Sequence, residues 1–368
     1  MARYGDDELR NLSEVIASGV LDDSHRRGRF NRQLEALLRE WLGVRHACTV
    51  SSAMAGLDLA LTALGIGAGD AVAVDPLVKF GAVAVLHCGA TPVWIDVDPR
   101  SFLLDPESLR CRVDQHVRAV ICTALLGHVP DMSKILAVAH AHGIAVIEDC
   151  SQALGACREG ALVGTAGDFG VFSFQATKHL STGDGGMVVT NSERLFDIVV
   201  QLREHGWHSN PALRSARIGW NYRMTELAAA VGVAQFGKLQ SVLEYHRAAA
   251  AALTDATRGS EQMQLQQSGR ATSPSFWKWA AAFPPERRDE VSAELVKVQS
   301  AAKVGLYPGG PAYNRPAMAP SRRADGGCPV AERLSMNALV MDLDCRTPLQ
   351  VIDREADKLA AVVEHLGL

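Results

Sequence analysis

The sequence predicts an α/β protein whose main sheet is mostly parallel. Between residues 71 and 190, short apolar runs alternate with amphipathic stretches, as in AVAV (71–74), IAVIED (144–149) and GMVVT (186–190). Such strands are apolar on both faces, which is typical of a parallel sheet covered by helices on both sides. A long helical pattern follows from Thr225 to about Thr257.

The length predicts two packed units. The chain has 368 residues, whereas single hydrophobic cores stop growing at about 250 to 300 residues. We expect an N-terminal segment and large domain over residues 1–250, and a smaller C-terminal α/β domain over residues 251–368. The Pro- and Gly-rich segment 307–329 is expected to be a loop, and READKLAAVVEHL near the end is expected to be an amphipathic helix.

Composition and charge exclude several classes of function. A net charge of -4 gives no broad attraction for nucleic acid or anionic membranes. The start of the chain lacks the apolar core of a signal peptide, and no stretch approaches the ~20 apolar residues that span a bilayer, so we expect a cytoplasmic protein. The eight cysteines form no CxxC pair, which predicts reduced thiols and no metal site.

Two carboxylates and one lysine are the first candidates for chemistry. Glu148 and Asp149 end a predicted strand, and ligands of α/β sheets gather at the carboxyl ends of strands. Lys178 lies in FSFQATKHLSTGDGG, among small and hydroxyl-bearing residues. A buried lysine amine is costly unless it serves as a nucleophile, for example in a Schiff base. The alternative is an ordinary surface lysine in a loop.

Three ordered motifs carry a family resemblance that covers almost the whole chain. In sequence order they are IEDCSQALGA (147–156), GTAGDFGVFSFQATKHLSTGDGG (164–186) and ARIGWNYRMTELAAAVGVAQ (216–235). Together they resemble the DegT/DnrJ/EryC1/StrS family of sugar and cyclitol aminotransferases. The resemblance implies the fold type I architecture of enzymes that depend on pyridoxal 5'-phosphate (PLP), with a large domain and a smaller C-terminal domain.

The resemblance assigns the catalytic residues. Lys178 matches the lysine that forms the Schiff base with PLP and then moves a proton as general base and acid. Asp149 matches the carboxylate at the pyridine nitrogen, whose protonation makes the cofactor an electron sink. Its alternative is a helix N-cap. Gln152 matches the residue whose amide lies at the ring and its phenolic oxygen.

The resemblance also places residues around the phosphate. Ser173 matches a phosphate ligand, and VSSAMAGL (50–57) matches the phosphate loop, which includes Ser52. Here Ala53 and Met54 stand where the family commonly has Gly and Thr, so one hydroxyl contact is missing.

The family pattern further implies a residue that contacts the neighbouring subunit and an aromatic residue that stacks on the PLP ring. Asn221 matches a residue that reaches the phosphate of the neighbouring subunit, which implies a homodimer with shared active sites. Phe80 is the aromatic available to cover the PLP ring in VDPLVKFGAVA (74–84), which is one residue shorter than the usual pattern. Its alternative is a core phenylalanine. Arg223 is either a carboxylate anchor or a structural ion-pair partner.

The implied activity is transfer of an amino group from L-glutamate or L-glutamine to a ketone. The acceptor is a keto-sugar, which we expect to be nucleotide-linked, or a cyclitol ketone, in natural-product or cell-surface sugar biosynthesis. One alternative is a PLP-dependent lyase, dehydratase or aromatising enzyme of the same family. Another is a non-catalytic PLP-binding regulator, for which the set Asp149, Ser173 and Lys178 would have no use.

Overall fold

The computed structural model describes residues 3–307, 309–321 and 327–368. A central sheet of seven strands forms the large domain. In chain order its strands and the short strands between them are β1 (His46–Val50), β2 (Ala71–Val74), β3 (Thr91–Trp94), β4 (Val117–Thr123), β5 (Ala145–Asp149), β6 (Cys157–Arg158), β7 (Ala161–Leu162), β8 (Phe169–Ser173) and β9 (Gly186–Thr190).

The central sheet confirms the predicted α/β class. Its strand order is β1-β9-β8-β5-β4-β2-β3. Pairings among β8, β5, β4, β2 and β3 are parallel, and β9 is antiparallel to both of its neighbours. Every residue of β2 and β9 is buried, as expected for a sheet covered on both faces.

Helices flank this sheet and begin where the sequence supplies capping groups. The side chains of Ser52, Ser192 and Thr225 accept hydrogen bonds from backbone N–H groups in the first turns of three helices. The helices are α1 (Asp6–Ser18), α2 (Arg29–Leu42), α3 (Ala53–Ala63), α4 (Lys79–His87), α5 (Pro106–Arg112), α6 (Met132–His142), α7 (Glu193–Arg203) and α8 (Glu226–Ala256). Across the described ranges, every helix is too short or too polar to cross a membrane.

A second, antiparallel sheet with its own helices forms the smaller unit. The order of its strands is β10-β12-β14-β13, and β11 instead pairs with β6 of the large domain. The predicted C-terminal amphipathic helix is confirmed as the last helix. The elements are β10 (Gln264–Leu265), β11 (Thr272–Ser273), β12 (Lys278–Ala282), α9 (Arg288–Lys297), β13 (Lys303–Val304), α10 (Pro329–Asn337), β14 (Ala338–Asp342) and α11 (Leu349–Leu366).

Helix α8 contributes to a hydrophobic cluster in each of the two units. Ala229 and Leu239 in its first half pack in the large domain, whereas Ala249 and Leu253 pack with the second sheet. Residue 250 therefore lies inside a continuous helix, and the division at 250/251 stays a prediction. Within the predicted loop 307–329, residues 308 and 322–326 lie outside the described part of the chain.

Candidate active site

A cavity of ≈ 430 Å³ opens at the carboxyl ends of β5 and β8, between the central sheet and the start of the smaller unit. It brings together eight of the nine site residues expected from the sequence. Its lining includes Ser52, Ala53, Met54, Phe80, Asp149, Gln152, Ser173 and Lys178, together with Trp277 and Tyr307 from the second unit.

Lys178 lies on the loop after β8 with its amine in this cavity. Burial lowers the pKa of Lys178 to about 8, against the opposing effect of the Asp149 carboxylate, and the charge of Lys278 lowers it further. The Nζ atom lies 3.6 Å from the centroid of the Trp277 ring, a cation–π arrangement. A pKa near 8 leaves a sizeable fraction of neutral amine near neutral pH, unlike that of an ordinary surface lysine.

Asp149 is the last residue of β5 and is buried at the floor of the cavity. Its Oδ1 accepts the backbone N–H of Ser151 at 3.0 Å. Desolvation raises the pKa of Asp149, while the hydrogen bonds from Ser151 and the charge of Lys178 act in the opposite direction. Residues 150–156 form turns, so the helix N-cap interpretation is wrong. A buried carboxylate of this kind fits a protonated pyridine nitrogen.

The neighbouring carboxylate has a structural task, which corrects the expectation that both strand-end carboxylates serve a ligand. Glu148 accepts the backbone N–H groups of Gly164, Ala166 and Gly167 at 2.8 to 2.9 Å. Successive side chains of a strand point to opposite faces of the sheet. Only one of two adjacent carboxylates can therefore face the cavity. That one is Asp149, and Glu148 instead holds the loop before β8 in place through these hydrogen bonds.

Gln152 is held at both ends of its amide. The N–H of Leu126 donates to Oε1 at 2.9 Å, and Nε2 donates to the hydroxyl oxygen of Tyr307 at 3.2 Å. Burial raises the pKa of Tyr307, so its hydroxyl stays protonated. The contact joins the large domain to the second unit across the cavity.

Sequence reasoning missed Tyr307 and Trp277. Both lie more than ninety positions beyond Lys178 in the chain, outside the three motifs. The available signal was an aromatic at the start of the strand pattern SFWKWAAAF and a tyrosine before the Pro- and Gly-rich loop. Trp277 Nε1 also donates to the carbonyl oxygen of Thr177 at 2.9 Å, which fixes the indole beside the lysine.

The end of the cavity at the N-terminus of α3 suits a phosphate group. Ser52 caps α3 by accepting the N–H of Ala55 at 3.1 Å, which leaves its own O–H free to donate. The first N–H groups of a helix have no intrahelical partner and attract anions. Gly186 permits this packing, because a Cβ there would meet the nitrogen of Ala53 at 2.8 Å. Ser173 adds a second hydroxyl to the lining.

Phe80 lies in the first turn of α4 and is 42% exposed. The core-phenylalanine interpretation is therefore wrong, and its ring lines the cavity. Asn221 is exposed on the loop before α8, outside the described lining. Arg223 lies 3.6 Å from Glu204, which supports the structural ion-pair interpretation.

Comparison with known proteins decides the family. The DegT/DnrJ/EryC1/StrS aminotransferase family matches residues 3–359. The chain belongs to this family. A GDP-perosamine synthase from Vibrio cholerae is 32% identical over 271 residues, covering 73% of each protein. A UDP-N-acetyl-3-dehydro-alpha-D-glucosamine 3-aminotransferase from Acidithiobacillus ferrooxidans is 36% identical over 339 residues, covering 90% of this chain and 89% of the relative.

Solved structures agree with the family assignment. S. venezuelae DesV, crystallised with a ketimine intermediate, has a TM-score of 0.86 and 30% identity, covering 96% of this chain and 94% of DesV. Family members are PLP-dependent aminotransferases, so this chain is one, with fold type I architecture. The relatives support a sugar aminotransferase and do not favour the lyase, dehydratase or aromatising alternative. The lysine, carboxylate, amide and hydroxyl groups of the cavity fit PLP.

Proposed function

We propose that the chain transfers an amino group from L-glutamate or L-glutamine to the ketone of a nucleotide-linked sugar. The observation that carries this proposal is the shared cavity of Lys178 and Asp149, with an amine whose pKa is near 8 beside a buried carboxylate. Relatives named for GDP-linked and UDP-linked sugars support the acceptor class.

Each cavity residue has a defined task in this proposal. Bound PLP supplies an electron sink for the bond broken at the donor's Cα. Asp149 holds the proton on the pyridine nitrogen, and Gln152, fixed by Leu126 and Tyr307, faces the ring. Lys178 Nζ moves the proton to and from the donor's Cα as general base and acid. The α3 N-terminus with Ser52 and Ser173 holds the phosphate, and Phe80 covers one face of the ring.

The active site is proposed to be shared between two copies of the chain. Asn221 is exposed and lies outside its own cavity, which suits a residue that reaches the phosphate site of a partner subunit. The same loop exposes Ile218 (97%) and Trp220 (63%), and apolar surface of this kind marks interfaces. We place the enzyme in the cytoplasm, a location supported by buried cysteines that remain thiols, such as Cys48, Cys122 and Cys150.

The first test is the absorbance spectrum of the purified protein before and after addition of L-glutamate or L-glutamine. The wild type should show the band of bound PLP, lose it with a donor and release a 2-oxo acid. Lys178→Ala should lower the rate of this half-reaction by about 10²–10⁴-fold, the range that general acid–base groups contribute. A protein that binds PLP but responds to neither donor would contradict the proposal and favour lyase or regulatory chemistry.

A further inference from the structure

The segment 274–277 carries an indole ring from the second unit to the amine of Lys178. It joins β11 to β12 and forms no strand of its own. The Nζ atom of Lys178 lies 3.6 Å from the centroid of the Trp277 ring. Phe276 has a φ of 50°, in the left-handed region that residues other than glycine rarely occupy. Such a backbone persists only where the surrounding contacts determine it, so the neighbouring elements must hold this segment in place.

Three side chains of neighbouring elements hold the segment by its backbone carbonyl groups. Arg247 Nε donates to the oxygen of Pro274 at 3.2 Å, His179 Nε2 to that of Ser275 at 3.0 Å, and His246 Nδ1 to that of Phe276 at 2.8 Å. Arg247 and His246 belong to α8, whereas His179 follows Lys178 in the chain. Three successive carbonyl groups are therefore fixed by side chains instead of by strand pairing.

The two neighbours of Lys178 in the chain both bond to this segment. On one side, the carbonyl oxygen of Thr177 accepts the indole N–H of Trp277 at 2.9 Å. On the other side, His179 bonds to Ser275, two residues before the indole. The position of the amine relative to the ring therefore depends on both contacts.

The two histidines form a buried and neutral pair. His179 is 1% exposed and His246 is 3% exposed, and the centroids of their rings lie 4.7 Å apart. A carbonyl oxygen only accepts hydrogen bonds, so the ring nitrogen that faces it carries the proton. Burial lowers the pKa of His246 to about 4, and burial next to His246 lowers the pKa of His179 well below its usual value. Both contacts therefore persist at neutral pH, and neither passes a proton on, because each ends at a carbonyl oxygen.

We propose that His179 and His246 are positioning residues that hold Trp277 over the amine of Lys178 and act on its proton transfer through this ring. The proposal rests on the function proposed above, in which Lys178 is the general base and acid. The rival interpretation is that both histidines only stabilise the fold, as buried hydrogen-bonded side chains commonly do. A positioning role requires Trp277, whereas a purely structural role does not.

A double-mutant cycle tests whether the histidines act through Trp277. His179→Leu and His246→Leu are each made in the wild type and in Trp277→Leu. In the wild type, each change should lower kcat of the PLP-loaded enzyme about two- to tenfold, the rate equivalent of one lost hydrogen bond. In the Trp277→Leu protein the same changes should cause no further loss.

A second measurement follows the amine itself and needs no amino donor. The rate at which the PLP-free protein takes up PLP is measured by absorbance as a function of pH, because only the neutral amine of Lys178 reacts with the cofactor. Each leucine variant should shift the midpoint of this profile in the same direction as Trp277→Leu does. The other charged groups at the amine, Asp149 and Lys278, are the same in every variant.

Matched variants separate the hydrogen bond from the loss of a buried side chain. His179→Gln and His246→Asn keep an N–H group near the positions of Nε2 and Nδ1, and they should restore most of kcat and of the pH profile. Asn337→Leu removes a buried amide that donates to the Phe283 carbonyl, outside the described lining of the cofactor cavity. It should lower the stability in urea and leave kcat and the pH profile unchanged.

The proposal is overturned if the histidine changes lower kcat by the same factor with and without Trp277, or if they change stability alone, as Asn337→Leu should. Failure of the wild type to react with any donor would instead contradict the proposed aminotransferase reaction, and the uptake of PLP would still decide the role of the histidines. If a leucine variant does not fold, His179→Asn or His246→Ser takes its place, because these polar groups are too short to reach the carbonyl oxygens.

Discussion

The cavity that contains Lys178 and Asp149 has two walls, one from the large domain and one from the second unit, and the two walls supply different side chains. The large-domain wall supplies buried charge and polar donors, with Asp149 and Lys178 at its centre. The wall from the second unit supplies aromatic side chains that touch those groups, Trp277 on the lysine and Tyr307 on Gln152. This difference indicates that one wall performs the chemistry and the other fixes its geometry. Substitutions should therefore cost more on the first wall than on the second.

After the loss of Lys178 itself, the largest effect is expected at the carboxylate that faces the cavity. Asp149→Asn keeps the shape of the side chain but removes the negative charge that holds a proton on the pyridine nitrogen. We expect kcat for amino transfer to fall by ~10²–10³-fold, the range seen when one preorganised electrostatic contact is removed. Steady-state kinetics with a donor and a ketone acceptor measure this, and PLP binding is followed by absorbance.

Glu148→Gln is the matched control one residue earlier. Its carboxylate accepts three backbone N–H groups, so the neutral amide should weaken the fold by ~1–3 kcal/mol while leaving kcat within a few-fold of the wild type. Urea unfolding measures the stability. Equal losses of kcat in the two variants would show that the charge at this strand end acts through folding alone, and the distinction between the walls would fail.

A smaller effect is expected on the aromatic wall. Trp277→Leu removes both the ring that lies over Lys178 Nζ and the N–H bonded to the Thr177 carbonyl. We expect kcat to fall about tenfold, because a cation–π contact contributes roughly 0.5–2 kcal/mol and 1.36 kcal/mol is tenfold in rate. The pH profile of kcat should shift as well, since the indole stabilises the protonated amine.

Trp277→Phe serves as its control, because it keeps a ring but not the N–H. It should retain most of the activity and most of the pH profile. If Trp277→Leu changed only KM for the acceptor, the indole would be a substrate contact rather than a residue that positions the lysine.

The same contrast explains what the sequence could predict. Lys178, Asp149, Gln152 and Ser173 lie within thirty consecutive residues, in motifs whose order is informative, and the parallel strands that carry them read as apolar runs. Trp277 and Tyr307 reach the cavity only through the packing of the second unit on the first. No local pattern encodes such long-range proximity.

Glu148 shows a second limit of sequence reasoning. The strand end was correctly identified, but which of two adjacent carboxylates faces a ligand depends on the pleat of the strand. The hydrogen bonds that residues 164–167 donate to Glu148 depend on the tertiary structure, which brings this loop to the end of β5. Phe80 was ambiguous for a related reason, because its exposure depends on where α4 begins.

The smallest expected effect is on the free energy of unfolding, and it measures how much the buried amine of Lys178 destabilises the fold. In the PLP-free protein the pKa of Lys178 is about 8, whereas an unfolded chain has a lysine pKa of ~10.4. Between these pH values the unfolded state binds the additional proton, so the free energy of unfolding of the wild type should rise with pH. Below pH 8 both states are protonated, and the buried charge destabilises the fold by its full amount.

Lys178→Met removes the charge and keeps a flexible apolar chain of similar length. The PLP-free variant should be more stable than the PLP-free wild type at pH 7, by about 2–3 kcal/mol at most, and the gap should narrow as the pH approaches 10. Urea unfolding at pH 7 and pH 9.5 measures both values. A variant that is less stable at pH 7 would mean that the contacts with Trp277 and Asp149 fully compensate the burial of the amine. In that case the aromatic wall would stabilise the charge as well as position it, and the two walls would no longer be separable by function.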